Sequence, residues 1–357
     1  MNANIIRKKT KVVKVGNVKI GGNNPIIVQS MTNTPTYDIE KTVRQIRKLE
    51  KCGCEIVRVS VPDKKSSMAI KSIKERVKIP IIADIHFNYR LAIMAIENGA
   101  NGIRINPGNI GDKNRIKKIV DCAKLHNIPI RVGVNSGSIK KSILEKYGEP
   151  CIDALVESCV ENVKILENFN FYKIKISLKS SDVLTTVEAY KKISKIFEYP
   201  LHIGITEAGT IKTGTIKSSV GLGILLYLGI GDTIRVSLSG DPVEEVFTAY
   251  KILYSLGLRK RGIEIISCPT CARTEIDVVK LANKIEKKYK YLEKPVKIAV
   301  MGCVVNGPGE AKEADLGIAG SKEIGVIFKK GRILKKVPIN NIEKEFFSFL
   351  DDYLRNA

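Results

Sequence analysis

The sequence predicts an α/β protein, a (β/α)8 barrel of the TIM type followed by a smaller α+β unit. Short β-branched runs alternate with longer stretches of helical period along the first two-thirds of the chain. The eight runs found there span about 255 residues, the size of one such barrel. No glycine-rich dinucleotide loop follows the first run, a feature that the competing open doubly wound sheet would more often carry. The boundary falls where the rhythm changes, giving expected units 1–257 and 258–357 joined near "LGLRKRG".

The barrel strands are expected at "PIIVQSM" (25–31), "EIVRVSV" (55–61), "PIIADIH" (80–86), "GIRINPG" (102–108), "PIRVGVN" (129–135), "YKIKISLKS" (172–180), "PLHIGIT" (200–206) and "DTIRVSLS" (232–239). Between them lie helical stretches such as "DIEKTVRQIRKLEKC", "DKNRIKKIVDCAKLH" and "DPVEEVFTAYKILYSL". Such long connectors disfavour an antiparallel sheet with one wet face, whose neighbours need only short turns.

Side chains alternate between the two faces of a strand. One phase of these runs is apolar, as in Val57, Val59 and Val61. The other holds Arg58 and Ser60, Asp84 and His86, Arg104 and Asn106, Arg131 and Asn135, Lys175, Ser177 and Lys179, His202 and Thr206, then Arg235, Ser237 and Ser239. In a barrel this second phase points inward, and its late members line the C-terminal mouth. So many cations converging on one interior are costly without an anion to neutralise them. The mouth therefore predicts a phosphorylated ligand, and the loops "EAGTIKTGT" and "SGDP" can offer it backbone N–H groups.

The second unit reads as a strand "GIEIISCP", a helix "TEIDVVKLANKIEKKYKYL" opened by Thr274 with Asp277, and a strand "PVKIAVMGC". A hairpin "IGVIFKKGRILKKV" turning near Lys330–Gly331 and an amphipathic helix "NNIEKEFFSFLDDYL" follow.

Eight cysteines without an export signal read as reduced thiols or metal ligands, not as a disulfide framework. Cys52, Cys54, Cys122, Cys151 and Cys159 sit in or beside apolar stretches and read as buried thiols. Cys268 and Cys271 lie on a turn at Pro269 just before the expected helix, whose N-terminus would favour thiolate. Cys303 ends the next strand and enters a glycine-rich loop. If those strands are neighbours, the three sulfurs meet. Zinc accepts three cysteines and one other ligand, but the glycines suit a bulkier iron–sulfur cluster, which is the favoured reading.

The net charge of +23 suits anionic ligands or acidic protein partners. Its lysines are spread along candidate helices, no aromatic-and-basic recognition motif accompanies them, and no nucleic-acid partner is expected. The opening "MNANIIRKKTKVV" has no apolar core of a signal peptide, and "VGLGILLYLGI" is about half a membrane span, so the expected location is cytoplasmic, away from membranes.

Five segments, "IRINPGN", "GITEAG", "GIGDTIRVSLSGDPVEEV", "CPTC" and "MGCVVNGPGEA", resemble the 4-hydroxy-3-methylbut-2-enyl diphosphate synthases of the non-mevalonate isoprenoid pathway. The likeness runs over nearly the whole chain, in the compact two-domain bacterial form. It implies a two-electron reduction of 2-C-methyl-D-erythritol 2,4-cyclodiphosphate, with ring opening and loss of water. It implies a 4Fe-4S cluster on Cys268, Cys271, Cys303 and Glu310. The carboxylate there is a harder, more displaceable ligand to iron than thiolate. By the same resemblance Arg58, Arg104, Arg131 and Lys175 grip the diphosphate, helped by Asn135, Arg235, Ser237 and Ser239. Asn106 and Thr206 line the same mouth. Asp84, His86, His202 and Glu207 supply polar contacts or protons, with Glu207 the favoured proton-handling group. The implied electron donor is flavodoxin or a ferredoxin, and the implied assembly a homodimer. Two rival classes are a zinc-stapled barrel aldolase or pterin-type synthase and a basic RNA-binding protein. Radical-adenosylmethionine chemistry is disfavoured because its CxxxCxxC spacing is absent.

Overall fold

The computed structural model describes residues 5–303, 309 and 311–356. The chain divides into two compact units, Met1–Arg259 and Lys260–Ala357.

The first unit opens with an antiparallel hairpin of β1 (Val13–Val15) and β2 (Val18–Ile20). An eight-stranded sheet follows, made of β3 (Ile27–Met31), β4 (Ile56–Val61), β5 (Ile81–Ile85), β6 (Gly102–Ile105), β7 (Ile130–Asn135), β8 (Ile174–Lys179), β9 (His202–Ile203) and β10 (Thr233–Ile234). Every pairing in this sheet is parallel. The order runs β8-β7-β6-β5-β4-β3-β10-β9, and a bridge between Ile176 and Leu201 brings β9 back to β8. The sheet is thus a closed ring. The open doubly wound alternative fails on that bridge.

Local chemistry explains the alternation of strand and helix. Asp38, Asp63, Asp112 and Asp182 cap helices, each accepting the backbone N–H three residues on at 3.1, 2.7, 2.9 and 2.7 Å. Outward strand residues Val57, Val59, Ile103, Val132 and Ile176 are buried under those helices in one continuous core. The hairpin, absent from the sequence reading, packs Val15 and Ile20 against the inward Ile27, Ile56 and Ile82 and stoppers the N-terminal end of the ring.

Strands β9 and β10 are much shorter than the sequence runs 200–206 and 232–239. Gly204 explains the shortening, because a Cβ there would overlap the Arg235 carbonyl and the Lys179 ammonium. Past this bare position the ladder gives way to isolated bonds such as Thr206 N–H to Ser180 O at 3.3 Å.

The second unit is a five-stranded sheet of β11 (Ile263–Ser267), β12 (Val296–Met301), β13 (Leu316–Gly320), β14 (Ile324–Lys329) and β15 (Arg332–Pro338), in that order. The first three are parallel and the last two antiparallel. Helices Val278–Lys288 and Ile342–Asn356 cover one face, where Leu281, Ile285, Phe346 and Leu350 meet Ile298, Ile318 and Ile327. The hairpin turns at Lys330 and Gly331, both at positive φ as a two-residue turn requires. Thr274 does not open the helix. Asp277 is the N-cap, its carboxylate accepting from Lys280 N at 2.9 Å.

No helix of the described residues is long and apolar enough to cross a membrane.

Gly317 lies opposite Phe328 in the β13–β14 pair, and a Cβ there would run into the fully buried phenyl ring. Gly317→Ala should therefore destabilise the second unit by about 1–3 kcal/mol, read as a lowered urea midpoint at unchanged slope. A midpoint equal to that of the parent chain would contradict this packing.

Candidate functional site

Following the register around the ring sorts the inward side chains into the layers of an eight-stranded barrel, alternate strands feeding alternate layers. Above the stopper lies a layer of Ile56, Gly102, Lys175 and Thr233. The next holds Gln29, Ile82, Arg131 and His202, and the next Arg58, Arg104, Ser177 and Arg235. Met31, Asp84, Gly133 and Gly204 come above them. Ser60, Asn106, Lys179 and Ser237 form the mouth.

Two carboxylates hold three of the guanidinium groups. Asp84 receives Arg58 Nε at 3.3 Å and Arg104 Nη1 at 3.2 Å, with His86 Nε2 3.8 Å away. Burial raises the Asp84 pKa, but the charges of Arg58, Arg104 and Arg131 and the nearby His86 ring outweigh it and keep the group ionised. Glu245, on the helix Pro242–Ser255, takes Arg235 through two bonds, Nε to Oε2 at 3.2 Å and Nη2 to Oε1 at 3.1 Å. It also accepts Ser30 Oγ at 2.8 Å and Leu238 N at 3.2 Å, which fixes its orientation. The Met31 sulfur lies between Arg58 and Arg235, 3.1 Å from Arg58 Nε and 3.8 Å from Arg235 Nη1.

Among the described residues the other cations have no carboxylate at ion-pair distance, although Asp84 acts on Arg131 and Asp232 on Lys175 from farther away. Burial is the main force pushing Arg131, Lys175 and Lys179 well below their ordinary pKa values, and neighbouring guanidiniums add to it. Burial, helped by the charges of Arg235 and Arg104, lowers Arg58 to about 10 against the pull of Asp84 and Glu245. His202 is fully buried, with Nδ1 2.7 Å from Thr233 Oγ1, and desolvation beside Arg131 keeps it neutral. Gly133 and Gly204 make room for the long side chains, since a Cβ would strike Arg104 at the first and Lys179 at the second.

The remaining inward residues fall nearer the rim. Asn106 is bound on both sides, donating to Ser138 O and Oγ at 3.2 Å and accepting from Asn162 Nδ2 at 3.2 Å. Asn135 N–H donates to Ser138 Oγ at 3.0 Å. His86 and Glu207 are exposed, and Glu207 is held at φ 50, in the left-handed region. Ser239 N–H donates to Gly209 O at 2.9 Å, so the loops after β9 and β10 are tied together beside Thr206 and Ser237. Of the two loops expected to offer N–H groups, the "SGDP" loop is already served by its own acid, Asp241, which accepts from Val243 N at 3.0 Å. The helix Ile211–Tyr227 has no side-chain cap at Thr210.

Cys268, Cys271 and Cys303 belong to the second unit. Ser267 of β11 lies opposite Val300 of β12 in a parallel pair, so Cys268 and Cys303 leave the sheet at the same edge. Gly302 N–H donates to Cys268 Sγ at 3.1 Å. Cys271 is exposed, and the N–H of Arg273 is the main influence lowering its thiol pKa. The helix N-terminus is not responsible, because that helix begins only at Val278. By contrast burial pushes the Cys54 thiol up to about 12 and raises Cys159 and Cys122. Among the described residues no group of three His, Cys, Asp or Glu side chains stands close enough to hold one metal ion. Glu310 lies outside the described residues.

Residues 10–250 match the model of the GcpE TIM-barrel domain, and residues 264–352 that of the GcpE protein C-terminal domain. The chain belongs to the GcpE family. A relative from Caldanaerobacter subterraneus subsp. tengcongensis, named 4-hydroxy-3-methylbut-2-en-1-yl diphosphate synthase (flavodoxin), is 59% identical over 98% of this chain and 99% of its own. Relatives of the same name from Fusobacterium nucleatum and Clostridium acetobutylicum are each 57% identical, over 98% and 97% of this chain and 99% of theirs. Among solved structures, dihydropteroate synthase from Yersinia pestis aligns at a TM-score of 0.49 and 11% identity, covering 69% of this chain and 98% of its own.

Within this GcpE-family barrel two residues stand out: Lys179, which the sequence put on the inward phase without a role, and Glu245, which it did not single out. Lys179 is the cation of the mouth layer, whereas Lys175 lies four residues deeper along β8. Glu245 anchors Arg235, and its position within the buried stripe Val243, Val246 and Ala249 is the signal that could have found it.

Inorganic pyrophosphate should bind the barrel interior by losing little and neutralising much. Arg104→Ala should weaken its binding by roughly 10- to 100-fold, the loss of one charge-assisted contact. Titration calorimetry at fixed ionic strength checks this, and equal affinity in parent and variant would place the anion elsewhere.

Proposed function

We propose that this chain reduces 2-C-methyl-D-erythritol 2,4-cyclodiphosphate by two electrons to (E)-4-hydroxy-3-methylbut-2-enyl diphosphate, with ring opening and loss of water. Flavodoxin is the electron donor, the enzyme works in the cytoplasm, and the working assembly is a homodimer. The observation that carries the reading is the near-full-length similarity to synthases of that name, at 59% identity. The cation-rich barrel supports it, because a cyclic diphosphate brings the negative charge that the interior lacks.

We assign the cluster to Cys268, Cys271, Cys303 and Glu310. The donor set fits: two of its thiols leave neighbouring parallel strands at one edge, a backbone N–H already serves Cys268, and the Cys271 thiol titrates low. When bound, a 4Fe-4S cluster supplies single electrons and an iron with a displaceable carboxylate ligand.

The barrel residues do the rest. Arg58, Arg104, Arg235 and Lys179 grip the diphosphate from the two upper cationic layers, with Arg131 beneath them. Asn135, Ser237 and Ser239 add hydrogen bonds at the rim, where Asn106, Thr206 and His86 shape the opening. Asp84 and Glu245 hold guanidinium groups in fixed directions, so little reorganisation is needed when the anion arrives. Proton handling falls to Glu207 rather than His202. Glu207 is exposed at the rim and held at φ 50, while His202 is fully buried with one ring nitrogen committed to Thr233.

Anaerobic assay of reconstituted protein with reduced flavodoxin and the cyclic diphosphate tests the reaction by mass spectrometry of the product. Without formation of the open-chain diphosphate the reading falls. In that assay Glu207→Gln should lower turnover by about 100-fold or more, as loss of a general acid–base does, with the cluster's visible spectrum intact. Unchanged turnover would remove Glu207 from the mechanism.

Glu310 is tested separately. Glu310→Cys should keep about four irons per chain, since thiolate holds iron firmly, yet lose most of its turnover. Glu310→Ala should lose iron. A cysteine variant working at the parent rate would show that the carboxylate need not be displaced.

A further inference from the structure

Beneath the two upper cationic layers, from Arg131 downward, lies a set of polar atoms without partners. Arg131 Nε and Nη1, Lys175 Nζ, His202 Nε2 and both amide atoms of Gln29 are buried and have no hydrogen-bond partner among the described residues. The four side chains are at most 2% exposed. The register puts Gln29, Arg131 and His202 in one layer, with Lys175 rising from the layer below. Gly102, in Lys175's layer, contributes no side chain there.

Orphaned buried polar atoms are rare, and each costs about 1–3 kcal/mol when left unmade. Four neighbouring side chains with six such atoms are not explained by chance misfit. Val15, Ile20 and Ile27 below are apolar, and the buried Asp232 carboxylate is taken up by Arg7, Thr10 and the Leu201 N–H. From above, Arg58, Arg104 and Arg235 present more positive charge, already committed to Asp84 and Glu245.

We propose that this layer is a binding site for one small inorganic anion of halide size, held by Arg131, Lys175, His202 and the Gln29 amide. Donors dominate the unpartnered set, which favours an anion over a cation. Asp84 and Asp232 act on Arg131 and Lys175 only from beyond ion-pair distance and are bonded to other groups, which favours an anion over neutral water. Confinement between the stopper and the guanidinium layer favours a monatomic ion over an oxyanion. The site differs from the diphosphate site in depth and in ligand, and it is meant to be filled whether or not substrate is present. Its role is to carry the counter-charge that keeps Arg131 and Lys175 protonated. Without it, burial and mutual repulsion push both groups well below their ordinary pKa values.

The test uses the full chain and does not depend on turnover, so it can fail while the proposed reaction stands. Crystals grown in bromide should show one anomalous peak inside the barrel, within hydrogen-bond reach of Arg131 and Lys175. In solution, replacing gluconate by chloride at constant ionic strength should raise the thermal midpoint by about 3 °C, as binding to the folded state alone requires. Lys175→Met should abolish that difference. If this variant does not fold, the bromide map of the parent protein still decides. Water density without an anomalous peak, or equal midpoints in chloride and gluconate, would overturn the proposal.

Discussion

Everything in the first unit answers to one constraint, the confinement of like charges inside a ring of strands. Arg58, Arg104, Arg131, Lys175 and Lys179 project from strands that the ring brings together, and Arg235 follows directly on β10. Asp84 and Glu245 offset part of that repulsion, each at a distance where the attraction is strong in a poorly solvated interior. The helices and the apolar outer faces of the strands supply the burial that makes the arrangement tolerable. The remainder of the charge is left for ligands. The protein therefore gives up stability in its empty state and recovers it on binding.

Much of this was legible in the sequence because the ring and its contents share one period. Val57, Arg58, Val59 and Ser60 alternate, and that alternation alone separates core from interior. Height along the barrel was not legible. Lys175 and Lys179 fall on the same face, and only the register shows that one reaches the mouth while the other sits among the deepest side chains. Glu245 was missed for a different reason. It lies on a helix, where an acidic residue ordinarily faces water, and its burial depends on Arg235 and Ser30 from elsewhere in the chain. The strand β13 escaped notice because "LGIAG" is too small and short to carry a β-branched signal.

In the second unit the sequence placed the strands that bear the cysteines, and their parallel pairing follows from the helix between them. The cap at Thr274 was misplaced because Thr and Asp are both good caps, and spacing alone does not choose between them. Thr274 instead packs over Gly302 and its hydroxyl accepts from Cys271 N at 3.1 Å, so it braces the turn that follows Cys271.

The ring is not equally stiff around its circumference. Strands β4 and β5 share five register pairs and β7 and β8 share six, whereas β9 and β10 share two, β10 and β3 share two, and β8 meets β9 at a single bridge. Mechanical compliance is thus concentrated on one arc. That arc carries Glu207, Thr206, Arg235 and Ser237. The opposite arc, with Arg58, Asp84, Arg104 and Arg131, acts as an anvil of fixed shape. A deformation of the ring can be taken up by the soft arc alone, leaving the charges fixed on the anvil in place.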